Sequence, residues 1–180
     1  MKNLHPEEWF PVVDETGNTI DKAPRSVCHD GKSMLLHPVV HLHLYNRSGK
    51  LFLQKRAMTK DIQPGKWDTS AGGHLAPGET VEEALVREAK EELGLTNFEF
   101  QFLGKYIWES PRERELVNSF STTNDNVPVI NTDEIEAGKF WSLQEIKANI
   151  GKDIYTPNFE HEFEMLFSCK SPPGKGQGCL

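Results

Sequence analysis

The chain has 180 residues, the size of one domain of roughly 150 residues with a short appendage. Apolar residues make up 37% and charged residues 26%, a balance that excludes a disordered chain. The formal charge of -7 excludes a groove for nucleic-acid polymers, but leaves open a small phosphorylated ligand bridged by metal ions. Cys28, Cys169 and Cys179 are odd in number and form no CxxC, so neither a disulfide framework nor a cysteine zinc knuckle is expected. No stretch approaches the ~20 apolar residues of a membrane span. The opening Met1-Lys2-Asn3-Leu4 lacks the apolar core of a signal peptide, so the cytoplasm, away from any membrane, is the expected location.

Trp9 to Ile20 reads as an N-terminal hairpin, with its turn over Glu15-Thr16-Gly17-Asn18. Residues 21–33 read as loop or short helix. Val39 to Tyr45 alternates around His41 and His43, which predicts a strand with one outward polar face. Asn46-Arg47-Ser48-Gly49 turns the chain into a return strand at Leu51 to Gln54. Trp67 to Gly73 reads as one short strand running out into glycines. Glu79 to Leu93 is the strongest helix. Thr80 and Glu83 fit a capping box, Val81, Leu85, Ala89 and Leu93 form an apolar stripe, and Gly94 stops it.

Phe98 to Trp108 and Leu116 to Thr122 read as strands, separated by the charged run Pro111 to Glu115. A further strand ends at Phe140-Trp141. Helices are expected from Ser142 or Leu143 to Asn149 and from Asn158 to Phe167. Residues 171–180 are Pro/Gly-rich and read as a flexible tail after a single domain over residues 1–170. Strands and helices mix without βαβ alternation, which predicts an α+β layered fold.

The chemistry lies in Gly73 to Glu79 and the helix that follows. Glu88, Glu91 and Glu92, at i, i+3 and i+4, share one helix face. Like charges so placed destabilise a helix by roughly 0.2–0.5 kcal/mol per pair, and at its C-terminal end they also oppose the dipole. Divalent cations offset that cost, and an all-oxygen donor set suits Mg²⁺ or Mn²⁺.

Gly73, Glu79, Arg87, Glu88, Glu91, Glu92, Gly94 and Leu95 match the spacing G-x5-E-x7-R-E-U-x-E-E-x-G-U, with Ala89 a small substitute for the inner aliphatic. The stretch resembles the Nudix box. The resemblance implies a Nudix fold, an α/β/α sandwich with a mixed β-sheet between helices. It implies catalytic metal ligands at Glu88, Glu91 and Glu92, a carbonyl ligand at Gly73, and structural roles for Glu79 and Arg87. The expected activity is divalent-cation-dependent hydrolysis of a nucleoside diphosphate derivative or another organic diphosphate. A homodimer is possible by family habit.

Outside the box, Val13-Asp14-Glu15, Leu53-Gln54-Lys55-Arg56, Pro64 to Asp68 and Thr156-Pro157-Asn158-Phe159 are similar to the isopentenyl-diphosphate isomerase-like branch. That resemblance implies a possible second metal site at His29, His37, His74, Glu113 and Glu115. An imidazole-rich site favours Zn²⁺ or Mn²⁺ and is expected to weaken below pH ~6.5. The isomerase also needs a cysteine two residues before the box histidine, and Gly72 stands there. An isomerase-like enzyme and a non-catalytic metabolite sensor are the alternatives, disfavoured by Gly72 and by the intact glutamates respectively. Lys55 and Arg56 are candidate substrate-phosphate contacts. Trp67, Trp108 and Trp141 are expected mainly in the core.

Overall fold

A computed structural model describes residues 7–168 of the protein. The tail read at 171–180, with Cys169 and Cys179, lies outside the described residues. Strands β1 (Trp9–Val13) and β2 (Thr19–Pro24) form a separate antiparallel ribbon. Asp14 closes its turn by accepting hydrogen bonds from the Thr16 and Asn18 backbones at 2.9 Å each. Gly17 takes φ +98 there, a conformation that favours glycine. The hairpin therefore runs past the expected Ile20 to Pro24. One helical turn, α1 (Arg25–Cys28), follows it.

Strand β3 (Leu36–Tyr45) lies at the centre of the main sheet. It runs parallel to β8 (Arg114–Thr123), in register from Leu36↔Arg114 to Tyr45↔Thr123. The antiparallel β7 (Gln101–Glu109) flanks β8 at the edge. On the other side β3 meets β4 (Leu51–Arg56) only at Tyr45↔Leu51, where their turn closes. Beyond that point the two strands splay. The expected single strand at 67–73 is two strands, β5 (Trp67–Asp68) paired to β4 and β6 (Ala71–His74) paired to β3. Ser70 spans the split: its Oγ accepts from the Leu44 N–H at 2.8 Å and donates to the Phe52 carbonyl at 2.6 Å. β9 (Ile135–Trp141) runs antiparallel to β4.

Helix α2 (Val81–Leu93) has the expected capping box and ends at Gly94 in the left-handed conformation. Its Ala84, Leu85, Ala89 and Leu93 pack on Val40, Leu42, Leu44 and Phe52. Helices α3 (Leu143–Asn149) and α4 (Pro157–Ser168) cover the opposite face. There Ile146, Phe159 and Phe163 pack on Leu51, Leu53 and Trp141. Successive residues of a strand point to opposite faces. A central strand covered on both sides has no outward face. His41 and His43 are accordingly buried, not solvated as their alternation suggested. The result is an α+β fold with a mixed sheet between helices. Among the described residues no helix is long and apolar enough to cross a membrane.

Candidate active site

The loop after β6 and helix α2 are locked together by Arg87. Its Nε and Nη2 donate to the two Glu79 oxygens at 2.8 and 2.9 Å, and Nη2 also reaches the His74 carbonyl at 2.9 Å. Nη1 reaches Glu88 Oε1 at 2.7 Å. Glu79 in turn accepts from the Ala76 N–H at 2.8 Å. The Glu88 carboxylate presses against Gly73 so closely that any Cβ there would overlap it. Only glycine lets the helix carboxylate and the loop backbone share this space.

Glu92 is buried and accepts from the Gly72 N–H and from Gln54 Nε2, both at 3.0 Å. Burial, with the charges of Glu88 and Glu134 adding, outweighs those hydrogen bonds and pushes its carboxyl up to about 8. Glu88 is raised as well, chiefly by burial and against the pull of Arg87. Glu91 is open to solvent, its side chain 56% exposed. Glu134, in the segment between β8 and β9, adds a fourth carboxylate to this wall and is paired with Lys60 at 2.9 Å. Sequence spacing gave no sign of Glu134, because it reaches the site through the fold alone.

The second cluster comes together from four separate segments. His29 follows α1, His37 opens β3, and His74 ends β6. One ring nitrogen from each lies within 4.8 Å of the others. His29 Nε2 and His74 Nε2 are 3.2 Å apart. His37 Nδ1 lies 2.9 Å from the Leu35 carbonyl, which assigns its proton to Nδ1 and leaves Nε2 buried without a partner. Glu113 and Glu115 project from one side of the start of β8. Glu113 Oε2 is 3.4 Å from His29 Nε2, and Glu115 Oε1 is 3.8 Å from His74 Nε2. The N-terminal ribbon closes the cluster with Phe10, stacked on the His74 ring at 4.1 Å and 3°. Asn158 Nδ2 donates to Glu115 at 3.1 Å and is itself held by the Tyr106 hydroxyl at 2.7 Å. Phe10, Tyr106 and the role of Asn158 were not legible beforehand.

Burial, with Arg25 and neighbouring His37 adding, pushes His29 down to about 3, and His74 also falls well below its ordinary value. Both shifts favour the neutral imidazole, the form in which a ring nitrogen can serve as a ligand. Burial, reinforced by Glu113, pushes Glu115 up to about 8. Burial lowers His37 as well, so all three imidazoles of the cluster favour the neutral form a metal needs.

The carboxylate wall and His29, His74, Glu113 and Glu115 of the second cluster line one cleft of about 1110 Å³, while His37 is fully buried. Arg56 also lines it, tethered to Asp68 at 3.2 Å and the Ile62 carbonyl at 3.1 Å. Lys55 does not, since it points to the other face of β4 and pairs with Glu136 at 2.7 Å. Cys28 is fully buried beneath the ribbon with Phe10, Val12 and Ala23, so it supplies no thiol where Gly72 lacks one. Trp67 and Trp141 pack edge-to-face in the core, whereas Trp9 and Trp108 line the cleft.

The NUDIX domain model matches residues 35–169. The chain is 31% identical over 151 residues to an uncharacterized Nudix hydrolase of Yersinia pestis, covering 84% of this chain and 81% of the relative. It is 29% identical over 160 residues to isopentenyl-diphosphate Delta-isomerase 1 of Photorhabdus laumondii, covering 84% and 90% of the two chains. Among solved structures, DR0079 of Deinococcus radiodurans superimposes with a TM-score of 0.77 at 23% identity, over 89% of this chain and 99% of that one. With the box helix, the carboxylates it projects and the mixed sheet beneath it all in place, the chain belongs to the NUDIX domain family and is a Nudix hydrolase.

Proposed function

We propose that the protein hydrolyses a diphosphate linkage in a nucleoside diphosphate derivative or another small organic diphosphate, with Mg²⁺ or Mn²⁺ held by Glu88, Glu91, Glu92 and the Gly73 carbonyl. The donor set carries this reading. Glu88, Glu91, Glu92 and Glu134 line one wall of the cleft, and their burial and repulsion raise the carboxyls of Glu88 and Glu92. Such a wall is costly unless a hard cation offsets it, and oxygen-only donors suit that class of ion. When bound, a divalent cation neutralises phosphate oxygens and supports in-line attack by water. Arg87 is committed to Glu79, Glu88 and the His74 carbonyl, so its task is to hold helix and loop in one geometry. Arg56 places a tethered guanidinium in the cleft, suited to a bidentate phosphate contact. Glu91 and Glu134, the more exposed carboxylates, are the candidates for taking a proton from the attacking water.

The unpartnered His37 Nε2 and the convergence of His29, His74, Glu113 and Glu115 support a second centre in the same cleft for a borderline ion, Zn²⁺ or Mn²⁺. Gly72 leaves this centre without the thiol that allylic isomerisation needs. A panel of organic diphosphates incubated with Mg²⁺ or Mn²⁺, read by phosphate release, tests the proposal. Cation-dependent release from at least one compound is expected. Tight binding without release would favour a sensor, and interconversion of isopentenyl and dimethylallyl diphosphate without release would favour an isomerase.

A further inference from the structure

Glu162 of α4 is fully buried and faces the underside of the sheet. An ionised carboxylate in such a place is costly unless several partners surround it. Three do. His41 Nδ1 lies 2.8 Å from Oε2, His43 Nε2 lies 3.1 Å from Oε1, and the Ser119 hydroxyl donates to Oε1. The arrangement follows from the fold. His41 and His43 are alternate residues of β3, Ser119 is the register partner of His41 on β8, and α4 lies over that face.

Of these residues, only His41 also lines the cleft. With Nδ1 turned to Glu162, the Cδ2 of the ring lies against Gly72. Cδ2 stands 3.1 Å from where a Cβ at Gly72 would be. Gly72 also donates its N–H to Glu92 at 3.0 Å. His41 and Glu92 therefore flank one glycine on the cleft wall, and the missing side chain at 72 leaves the imidazole room to reach the cleft.

We propose that His41, oriented by Glu162, contacts the substrate's diphosphate directly, donating a hydrogen bond from Nε2 to a phosphate oxygen beside Glu92. Glu162 is its positioning residue. The inference rests on the diphosphate reading above. Burial opposes charge on the ring, but Glu162, with Asp68 and Glu115 farther off, outweighs it and pushes His41 up to about 9. The ring then carries protons on both nitrogens at neutral pH, one for Glu162 and one for the cleft. Histidines 29, 37 and 74 are held neutral and suit a metal, so the cleft contains imidazoles of two kinds.

The probe is methylenediphosphonate, a diphosphate whose bridge cannot be hydrolysed, titrated by calorimetry into the full chain saturated with Mn²⁺. His41→Gln and His41→Phe should weaken its binding about 10–100-fold, the effect of losing a hydrogen bond to a charged group, while Mn²⁺ binding in the absence of the probe is retained. Glu162→Gln, which leaves the imidazole in place but neutralises its partner, should give a smaller loss. In the wild type loaded instead with diamagnetic Mg²⁺, the His41 Nε2 ¹⁵N resonance should shift when the probe is added, a readout that does not depend on a variant folding. Unchanged affinity in both His41 variants, or an unmoved His41 resonance in a wild type that binds the probe, overturns the inference and leaves the hydrolase reading intact. A wild type that binds Mn²⁺ but not the probe overturns both.

Discussion

The two walls of the cleft gather candidate metal donors in two different ways. The α2 wall takes three of its four carboxylates from the last turns of one helix, and its charges repel one another at close range. The histidine wall draws on α1, β3, β6 and β8, and its imidazoles are held neutral by burial. The first is a strained anionic surface that suits a hard cation. The second is a neutral, partly unpartnered one that suits a softer ion. Gly73 and His74, adjacent in sequence, join them: one presses on Glu88 and the other closes the histidine cluster.

The largest expected effect separates the walls by activity. Glu92→Gln keeps an acceptor for the Gly72 N–H but removes a charged ligand, so turnover at saturating Mg²⁺ should fall at least ~100-fold while the circular dichroism spectrum is retained. The same substitution should leave the stoichiometry of Zn²⁺ bound at the histidine wall unchanged. Full activity in Glu92→Gln and in Glu88→Gln would remove the α2 wall from the chemistry.

The next effect separates them by metal. His74→Ala removes one of three converging imidazoles. The affinity of the second centre for Zn²⁺ should then fall by more than the roughly 10–100-fold that an outer-sphere partner costs. Because burial lowers all three imidazoles, wild-type binding should survive mild acidification as far as the imidazoles are concerned. Glu115, raised to about 8, must instead release a proton, so affinity should climb between pH 6 and about 8. Calorimetry in buffers of different ionisation enthalpy reads that proton. Zn²⁺ affinity that is equal in wild type and His74→Ala would show that the cluster holds no metal.

The same contrast explains what could be read from the sequence. The α2 wall was legible because its determinants are local: spacing on a helix fixes which carboxylates share a face, and Thr80, Glu83 and Gly94 mark where that helix starts and stops. The histidine wall was legible only residue by residue, from resemblance, since nothing in the spacing of His29, His37 and His74 says that β3 and β6 pair at Val39↔His74. Glu162 was not legible at all. The alternation of β3 shows a polar face at His41 and His43, but not that α4, far along the chain, supplies a buried carboxylate to cover it. Of the two strand-end cations, only Arg56 lines the cleft, because adjacent residues on a strand point to opposite faces.

The smallest effect is on stability, and here Glu92 of one wall and His29 of the other should respond to pH in opposite directions. Glu92 has its carboxyl raised from 4.5 to about 8 in the folded chain. Ionising it costs more in the fold than in the unfolded chain. The stability it allows is therefore fully present below about pH 4.5 and is lost as pH rises through about 8. His29 is lowered from 6.5 to about 3, so the stability tied to its neutral form is present above pH 6.5 and is lost as pH falls toward 3. Glu115 adds to the loss on the alkaline side. Chelator-treated protein should thus melt highest between these limits. Glu92→Gln should raise the melting temperature at pH 8 but not at pH 4.5, by on the order of 2–4 °C for each kcal/mol of strain relieved. His29→Asn should act only at the acid end. Added Mg²⁺ should shrink the Glu92→Gln gain at pH 8, because the cation stabilises only the wild-type wall. A Glu92→Gln protein whose melting profile parallels the wild type at every pH would show that the α2 carboxylates are not under strain.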